Sequence, residues 1–158
     1  MNSNYLKSLR LVYFALAMGI AMFSLVAMLI NNMNGPLSGN DLNPEEKTPF
    51  IIVLVVITGI VFMGYKAFIP KKLAIIQNLS SLDKKLTAWR EIIILKGALI
   101  EAPSLFAIVL FMFLGISSLL LWPLAGLVLF WLTQPTREKF IADTNLSLSE
   151  RDEFELMS

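Results

Sequence analysis

The sequence predicts an all-α integral membrane protein, a four-helix bundle in which a cytoplasmic helical extension leads into the third span. The chain has 158 residues, a length that suits a single domain covering 1–158. Of these residues 56% are hydrophobic, and the mean hydropathy is +0.70. Charged residues make up 16% of the chain and are clustered. The long uncharged runs between them would be insoluble in water, which indicates a membrane protein.

The first predicted span covers about 11–31. Its uncharged run from Leu11 to Ile30 would form a helix of about 30 Å, the thickness of the hydrocarbon core. A secretory signal is the alternative, but its apolar region is shorter and ends in small residues. This run ends instead in the polar residues 31–34, so we expect a retained span.

The second predicted span covers 50–69 and follows a polar, turn-rich connector at 31–48. The span is rich in β-branched residues, but it is far too long for a strand. The sequence Pro70-Lys71-Lys72 is expected to mark the exit from the membrane.

A cytoplasmic helical loop is predicted at 71–93. Apolar residues recur there at alternating spacings of four and three, which is a heptad-type stripe; they are Ile75, Leu79, Leu82, Leu86, Trp89 and Ile93. We expect one long helix over 73–95 that continues into the third span. The stripe is a candidate surface for a second copy or a membrane-protein partner. Packing against the chain's own residues from Lys66 to Leu73, or against its terminal helix, is the open alternative.

Residues 97–133 carry a single charge, Glu101, and are too long for one span. The sequence from Gly115 to Ser118 is the natural break. We therefore predict a third span at about 94–114 and a shorter fourth span at about 118–133.

The cytoplasmic tail, 134–158, turns polar at Gln134. Ser147 and Glu150 have the spacing of a capping box, in which each side chain accepts a hydrogen bond from a free backbone N–H of the other residue. A short terminal helix after Ser147 is expected.

The positive-inside rule then sets the orientation. With four spans and both termini in the cytoplasm, Lys47 is the only one of the 13 Lys and Arg residues to lie outside. A three-span topology would add Arg137, Lys139 and Arg151 to the outer side. The charges therefore favour four spans in an inner membrane, with the N-terminus and the C-terminus cytoplasmic.

Glu101 is the first candidate for function, because an acidic residue within an apolar span is costly. It lies towards the cytoplasmic end of its span, where Lys66 and Lys96 are also expected. An intramembrane ion pair of Glu101 with either lysine would clasp two helices together. Proton or cation exchange at Glu101, or a solvated carboxylate, are the alternatives.

Other function classes have little support in the composition. The chain has no His and no Cys, so we expect no metal site, no cofactor and no enzyme activity. A net charge of +1 gives no reason to expect a nucleic-acid partner. Anionic lipid head groups could contact the basic loop residues, although these charges also serve to fix the topology; they are Lys71, Lys72, Lys84, Lys85 and Arg90.

Two resemblances can be stated. The segment from Gly97 to Val109, with Glu101 in it, resembles the ion-carrying helix of ATP synthase subunit c. That family also packs a glycine-rich partner helix into a ring. The first span here has Gly19 as its only glycine, so we do not infer a rotor function.

The second resemblance covers most of the chain and is to uncharacterised small four-span inner-membrane proteins of Bacteroidetes-type bacteria. The motifs that carry it are Leu82…Lys85-Leu86…Trp89-Arg90, Ala98-Leu99-Ile100-Glu101-Ala102-Pro103-Ser104-Leu105-Phe106, Gln134-Pro135-Thr136-Arg137-Glu138-Lys139 and Leu146-Ser147-Leu148…Glu150. The resemblance implies architecture and location only. We expect a non-enzymatic scaffold or accessory subunit of a membrane complex, or alternatively a proton- or cation-coupled element that uses Glu101.

Overall fold

A computed structural model describes residues 5–38 and 42–157, and the regular structure in these ranges is all helical. The helices are α1 (Tyr5–Asn34), α2 (Pro44–Gln77), α3 (Leu82–Leu114), α4 (Leu121–Thr133), α5 (Arg137–Thr144) and α6 (Leu148–Met157), with a 3₁₀ turn at Ser117–Leu120 before α4. The all-α prediction is confirmed. The predicted connector at 31–48 includes residues 39–41, which lie outside the described residues.

The three longest helices, α1 to α3, are long and apolar enough to cross a membrane. Their most apolar windows have mean hydropathies of 2.3, 2.3 and 2.1, consistent with transmembrane helices. The helix over Ser117–Thr133 is shorter, and it is bent by 76° relative to Arg137–Thr144. The structure thus contains three candidate spans, or four if this bent pair is counted as one.

Helix α3 lies at the centre of the fold. Helix α1 runs parallel to α3, and Leu16 of α1 packs against Gly97 of α3. Helix α2 runs antiparallel, and the ring centroids of Phe50 and Phe113 are 5.9 Å apart. Helix α4 is also antiparallel and brings Gly126 against Ser104. We call the end with Tyr5, Gln77 and α5–α6 the tail end, and the end with 35–43 and 115–120 the loop end.

The predicted break after the third span is confirmed at Gly115. This residue has a φ of +69°, a left-handed conformation that glycine adopts without strain. Its N–H donates to the Phe111 carbonyl at 2.8 Å. Any Cβ at this position would also lie 3.0 Å from Pro36. The adjoining Leu37 N–H donates to the Met112 carbonyl at 3.0 Å, so the connector after α1 is tied to the end of α3.

The prediction of a single helix over 73–95 is wrong. Helix α2 continues to Gln77, and a break at 78–81 separates it from α3. The Asn78 side chain donates to the Ala74 carbonyl at 2.9 Å, which satisfies one of the last free carbonyls of α2. Ser81 is extended, with φ −142° and ψ 145°. The turn interrupts the predicted stripe, because Ile75 before it is exposed whereas Leu82 and Leu86 after it are buried.

The tail contains one predicted and one unpredicted helix. The capping box before α6 is confirmed, because the Ser147 N–H donates to the Glu150 carboxylate at 2.9 Å and the Glu150 N–H donates to Ser147 Oγ at 3.4 Å. Helix α5 was not predicted from the sequence. Its N-cap is Thr136, whose hydroxyl accepts from the Lys139 N–H at 3.3 Å.

Candidate functional site

Glu101 lies on the side of α3 that faces α1. A Cβ at Gly19 of α1 would be 3.9 Å from Glu101 Oε1, in ordinary van der Waals contact. The side chain is partly exposed. Within the described parts of the chain, Glu101 is in none of the ion pairs. The two lysines expected to clasp it have other neighbours.

Lys96 forms an ion pair with Asp143 of α5, with 3.8 Å between Nζ and Oδ2. Lys66 is exposed, and its ammonium lies over the Phe62 ring, 4.8 Å from the ring centroid. Among the described residues, Glu101 therefore forms an ion pair neither with Lys66 nor with Lys96. Lys96 and Glu101 are five residues apart on α3 and point in different directions, and Lys96 pairs instead with Asp143 of α5, a helix that the sequence did not predict.

Asp143 connects three helices at the tail end. Besides Lys96, its carboxylate accepts a hydrogen bond from Trp89 Nε1 at 3.0 Å. Its backbone carbonyl accepts one from the Gln77 side chain at 3.1 Å. The start of α3, the end of α2 and α5 are thus held at one residue, which no sequence motif distinguished.

A second ion pair joins α6 to α3. Lys85 Nζ lies 2.9 Å from Glu150 Oε2, and the two side chains are only 4% and 15% exposed. Burial raises the pKa of the Glu150 carboxyl, but hydrogen bonds from Lys85 and Ser147 outweigh it, so the pKa lies below its ordinary value. Lys85 was expected to contact lipid head groups, yet the structure buries it in this pair. The other four residues of that set, Lys71, Lys72, Lys84 and Arg90, are exposed.

Aromatic rings fill the space between the two ion pairs. Trp89 and Phe140 are both completely buried, and their rings meet edge to face with centroids 5.1 Å apart. Phe154 packs on Phe140 at 4.8 Å. We call this set the tail cluster; its members are Lys85, Trp89, Lys96, Phe140, Asp143, Glu150 and Phe154.

Most of the apolar stripe is buried within the protein. The stripe residues on α3, namely Leu82, Leu86, Trp89 and Ile93, are buried. Leu79 is partly buried, and Ile75 is exposed on α2. The part of the stripe on α3 is therefore packed within the chain itself, with Trp89 against Phe140 of α5.

Helix α1 is joined to the far end of α4 by polar contacts. The hydroxyls of Tyr13 and Thr133 are 2.6 Å apart, and Arg10 Nε donates to the Pro135 carbonyl at 2.9 Å. The end of α4 therefore lies beside α1 about two helical turns after the first residue of α1.

Two grooves flank α4. One, of about 480 Å³, lies between α2, α3 and α4, and the other, of about 400 Å³, lies between α1 and α4. Glu101 lines neither. Over residues 5–38 and 42–157 there is no group of three or more carboxylate, His or Cys side chains that could hold a metal ion.

Comparisons with known proteins do not place the chain in a family. No family model, no curated protein and no solved structure matches the chain.

Proposed function

We propose that the chain is a multi-pass protein of the bacterial inner membrane that acts as a non-enzymatic scaffold or accessory subunit of a membrane complex. The observation that carries this proposal is the outer surface of α2. Only 6% of the residues in its most apolar window are buried within the protein. Met63 and Ile60 are among the large apolar side chains left exposed there. Such a surface suits contact with lipid and with another membrane helix.

Four spans with both termini in the cytoplasm are part of the proposal. The distribution of charge supports this orientation, because the basic residues at Lys71, Lys72, Lys84 and Arg90 lie at the tail end. Helix α4 supports a fourth crossing, since it runs from the loop end back to the level of Tyr13.

Cysteine labelling tests the topology, because the natural chain has no cysteine. Glu45→Cys lies at the loop end and Ser149→Cys lies in the tail, and both positions are exposed. In intact spheroplasts, a membrane-impermeant maleimide should label Glu45→Cys only, and lysis should allow labelling of Ser149→Cys. Labelling of both residues before lysis contradicts the proposed orientation.

Site-specific photo-crosslinking tests the accessory role. A photoreactive residue at Met63 of α2 should give one discrete protein adduct in native membranes, either a dimer of this chain or a complex with another subunit. The matched control is Trp131, which is 75% exposed on α4. If Met63 and the other exposed α2 positions give only lipid adducts, the accessory role is wrong.

The environment of Glu101 favours ion coupling as a second candidate function. A carboxylate on α3 without an ion-pair partner among the described residues can exchange a proton or bind a cation. If Glu101→Gln retains the thermal stability of the natural protein but abolishes proton or cation flux in proteoliposomes, this function replaces the scaffold. Unchanged flux excludes it.

A further inference from the structure

The groove between α2, α3 and α4 has the shape of a site for a linear apolar ligand. It has a volume of about 480 Å³, and its walls are almost entirely apolar, with Leu99, Ala125 and Leu129 among them. Along α4 the groove extends from Leu121 to Thr133. At 1.5 Å per residue this distance is about 18 Å, close to the roughly 15 Å of one leaflet of the hydrocarbon core.

The loop end of the groove is lined by a hydrogen-bonded pair of polar side chains. Trp122 Nε1 donates to Thr58 Oγ1 at 3.0 Å, which links α4 to α2. The Thr58 hydroxyl itself donates to the Leu54 carbonyl at 2.8 Å. Because both side chains have partners, nothing at this end requires a polar ligand.

The end of the groove nearer the tail carries hydrogen-bond donors. Tyr65 lines it. The Tyr65 hydroxyl makes no hydrogen bond to another residue within the described parts of the chain, and it interacts electrostatically with Asp143 and Tyr13. The next residue, Lys66, holds its ammonium over the ring of Phe62, which also forms part of the groove wall. A phenolic O–H and an ammonium together suit a phosphate group.

We propose that this groove binds an acyl chain of an anionic phospholipid whose phosphate is contacted by the Tyr65 hydroxyl and the Lys66 ammonium. The proposal rests on the insertion into a membrane proposed above, and it is independent of the scaffold role. With the tail end in the cytoplasm, the lipid lies in the inner leaflet, where anionic head groups are available to basic side chains.

Tryptophan quenching by brominated lipids provides the test, because each Trp of this chain has a different environment. Trp122 lines the groove, Trp131 is 75% exposed on another face of α4, and Trp89 is completely buried in the tail cluster. Trp131→Phe leaves Trp122 to report on this groove. Trp122→Phe leaves Trp131, which is 75% exposed at the edge of the second groove, between α1 and α4, as the reporter outside it. Trp89 supplies the same shielded background in both. The proteins are reconstituted in phosphatidylcholine vesicles with increasing fractions of brominated phosphatidylglycerol or brominated phosphatidylcholine.

We expect Trp122 fluorescence to be half-quenched at a severalfold lower fraction of brominated phosphatidylglycerol than Trp131 fluorescence. Brominated phosphatidylcholine should quench both equally. The double change Tyr65→Phe with Lys66→Met should abolish the difference, while Lys72→Met, an exposed lysine nearer the tail end of α2, should preserve it. Ala125→Phe should fill the groove and reduce quenching of Trp122, whereas Leu124→Phe on the exposed side of α4 should not.

If Trp122 and Trp131 are quenched equally by both lipids, the lipid site is overturned and insertion into the membrane stands. If brominated phosphatidylcholine shows the same preference for Trp122, the assignment of an anionic head group is overturned. If neither lipid quenches Trp131, the chain is not embedded in the bilayer, and both proposals fail together.

Discussion

Helices α2 and α3 have nearly the same length, 34 and 33 residues, and nearly the same hydropathy, but their surroundings differ. In the most apolar window of α3, 44% of the residues are buried within the protein, against 6% in α2. Helix α3 is packed against α1 and α4 in its apolar half and against α5 and α6 at its start. Hydropathy reports affinity for an apolar environment, which either lipid or protein can supply.

The difference between these helices lies in a few specific contacts. Helix α3 holds Gly97 and Ser104 where α1 and α4 approach closely, and it holds Lys85 and Trp89 where the tail docks. Exposed positions of α2, Gly59 and Phe68 among them, provide controls for substitutions in the helices that pack on α3.

Loss of the Phe140 ring should have the largest effect, because it uncovers the start of α3. Phe140→Ala removes a completely buried ring from between Trp89 and Phe154, at an expected cost of about 3–5 kcal/mol. Phe68→Ala on α2 removes an exposed ring and should have little effect. Thermal unfolding in mild detergent, followed by Trp fluorescence, measures both variants. Equal stability of the two would show that the tail does not stabilise α3.

The second effect concerns the ion pair of the tail cluster. Glu150→Gln leaves the Lys85 ammonium buried without a counter-ion, and we expect a loss of about 2–3 kcal/mol. Adding Lys85→Met should recover part of the loss, because a buried apolar side chain replaces the buried charge. Glu153→Gln, which is exposed on the same helix, is the control. A double variant less stable than Glu150→Gln would contradict the pairing.

A smaller effect is expected where α4 packs on α3. A Cβ at Gly126 would overlap the Ser104 hydroxyl. Gly126→Ala must therefore turn this hydroxyl away from the Ile100 carbonyl, to which it donates a hydrogen bond, or move the two helices apart, at about 1–3 kcal/mol. At Gly59 of α2 a Cβ would meet nothing within 4 Å. Gly59→Ala should therefore be neutral or slightly stabilising. The difference in melting temperature between these variants measures how closely α3 is packed compared with α2.

The smallest effect is a dependence on pH. Because the folded pKa of Glu150 lies below its ordinary value of 4.5, the carboxylate stabilises docking of α6 above that pH, and the contribution is lost as pH falls through the folded value. Trp89 fluorescence should report progressive undocking over this acidic range. The Glu150→Gln variant should lack this component, and an identical acid profile in both proteins would assign the transition to another group.

The three long helices and the break at Gly115 could be predicted from the sequence because they depend on local properties, namely hydropathy, length and a left-handed glycine. The capping box at Ser147 and Glu150 is local in the same sense. The turn at 78–81 was missed because the periodicity of apolar residues does not depend on whether the backbone between them is helical. The signal that could have found it was the cluster Asn78, Ser80 and Ser81, which is typical of a helix end followed by an N-cap.

The candidate site was less predictable. Lys96 and Lys66 both lie near Glu101 in their predicted spans. Their positions in the sequence give no indication that Lys96 pairs with Asp143 instead. Asp143 lies on a helix of eight residues, too short for periodicity to reveal its buried face. Its partners were set by the bend between α4 and α5, which is a property of the tertiary fold.

The tail cluster also has a consequence for biosynthesis. Lys85 and Trp89 precede their partners Glu150 and Asp143 by 65 and 54 residues. While the ribosome makes the intervening chain, the start of α3 carries an unpaired ammonium and an uncovered indole. If α3 inserts into a membrane as proposed, the unpaired Lys85 ammonium disfavours entry of that segment into the hydrocarbon core until α6 is made and supplies Glu150.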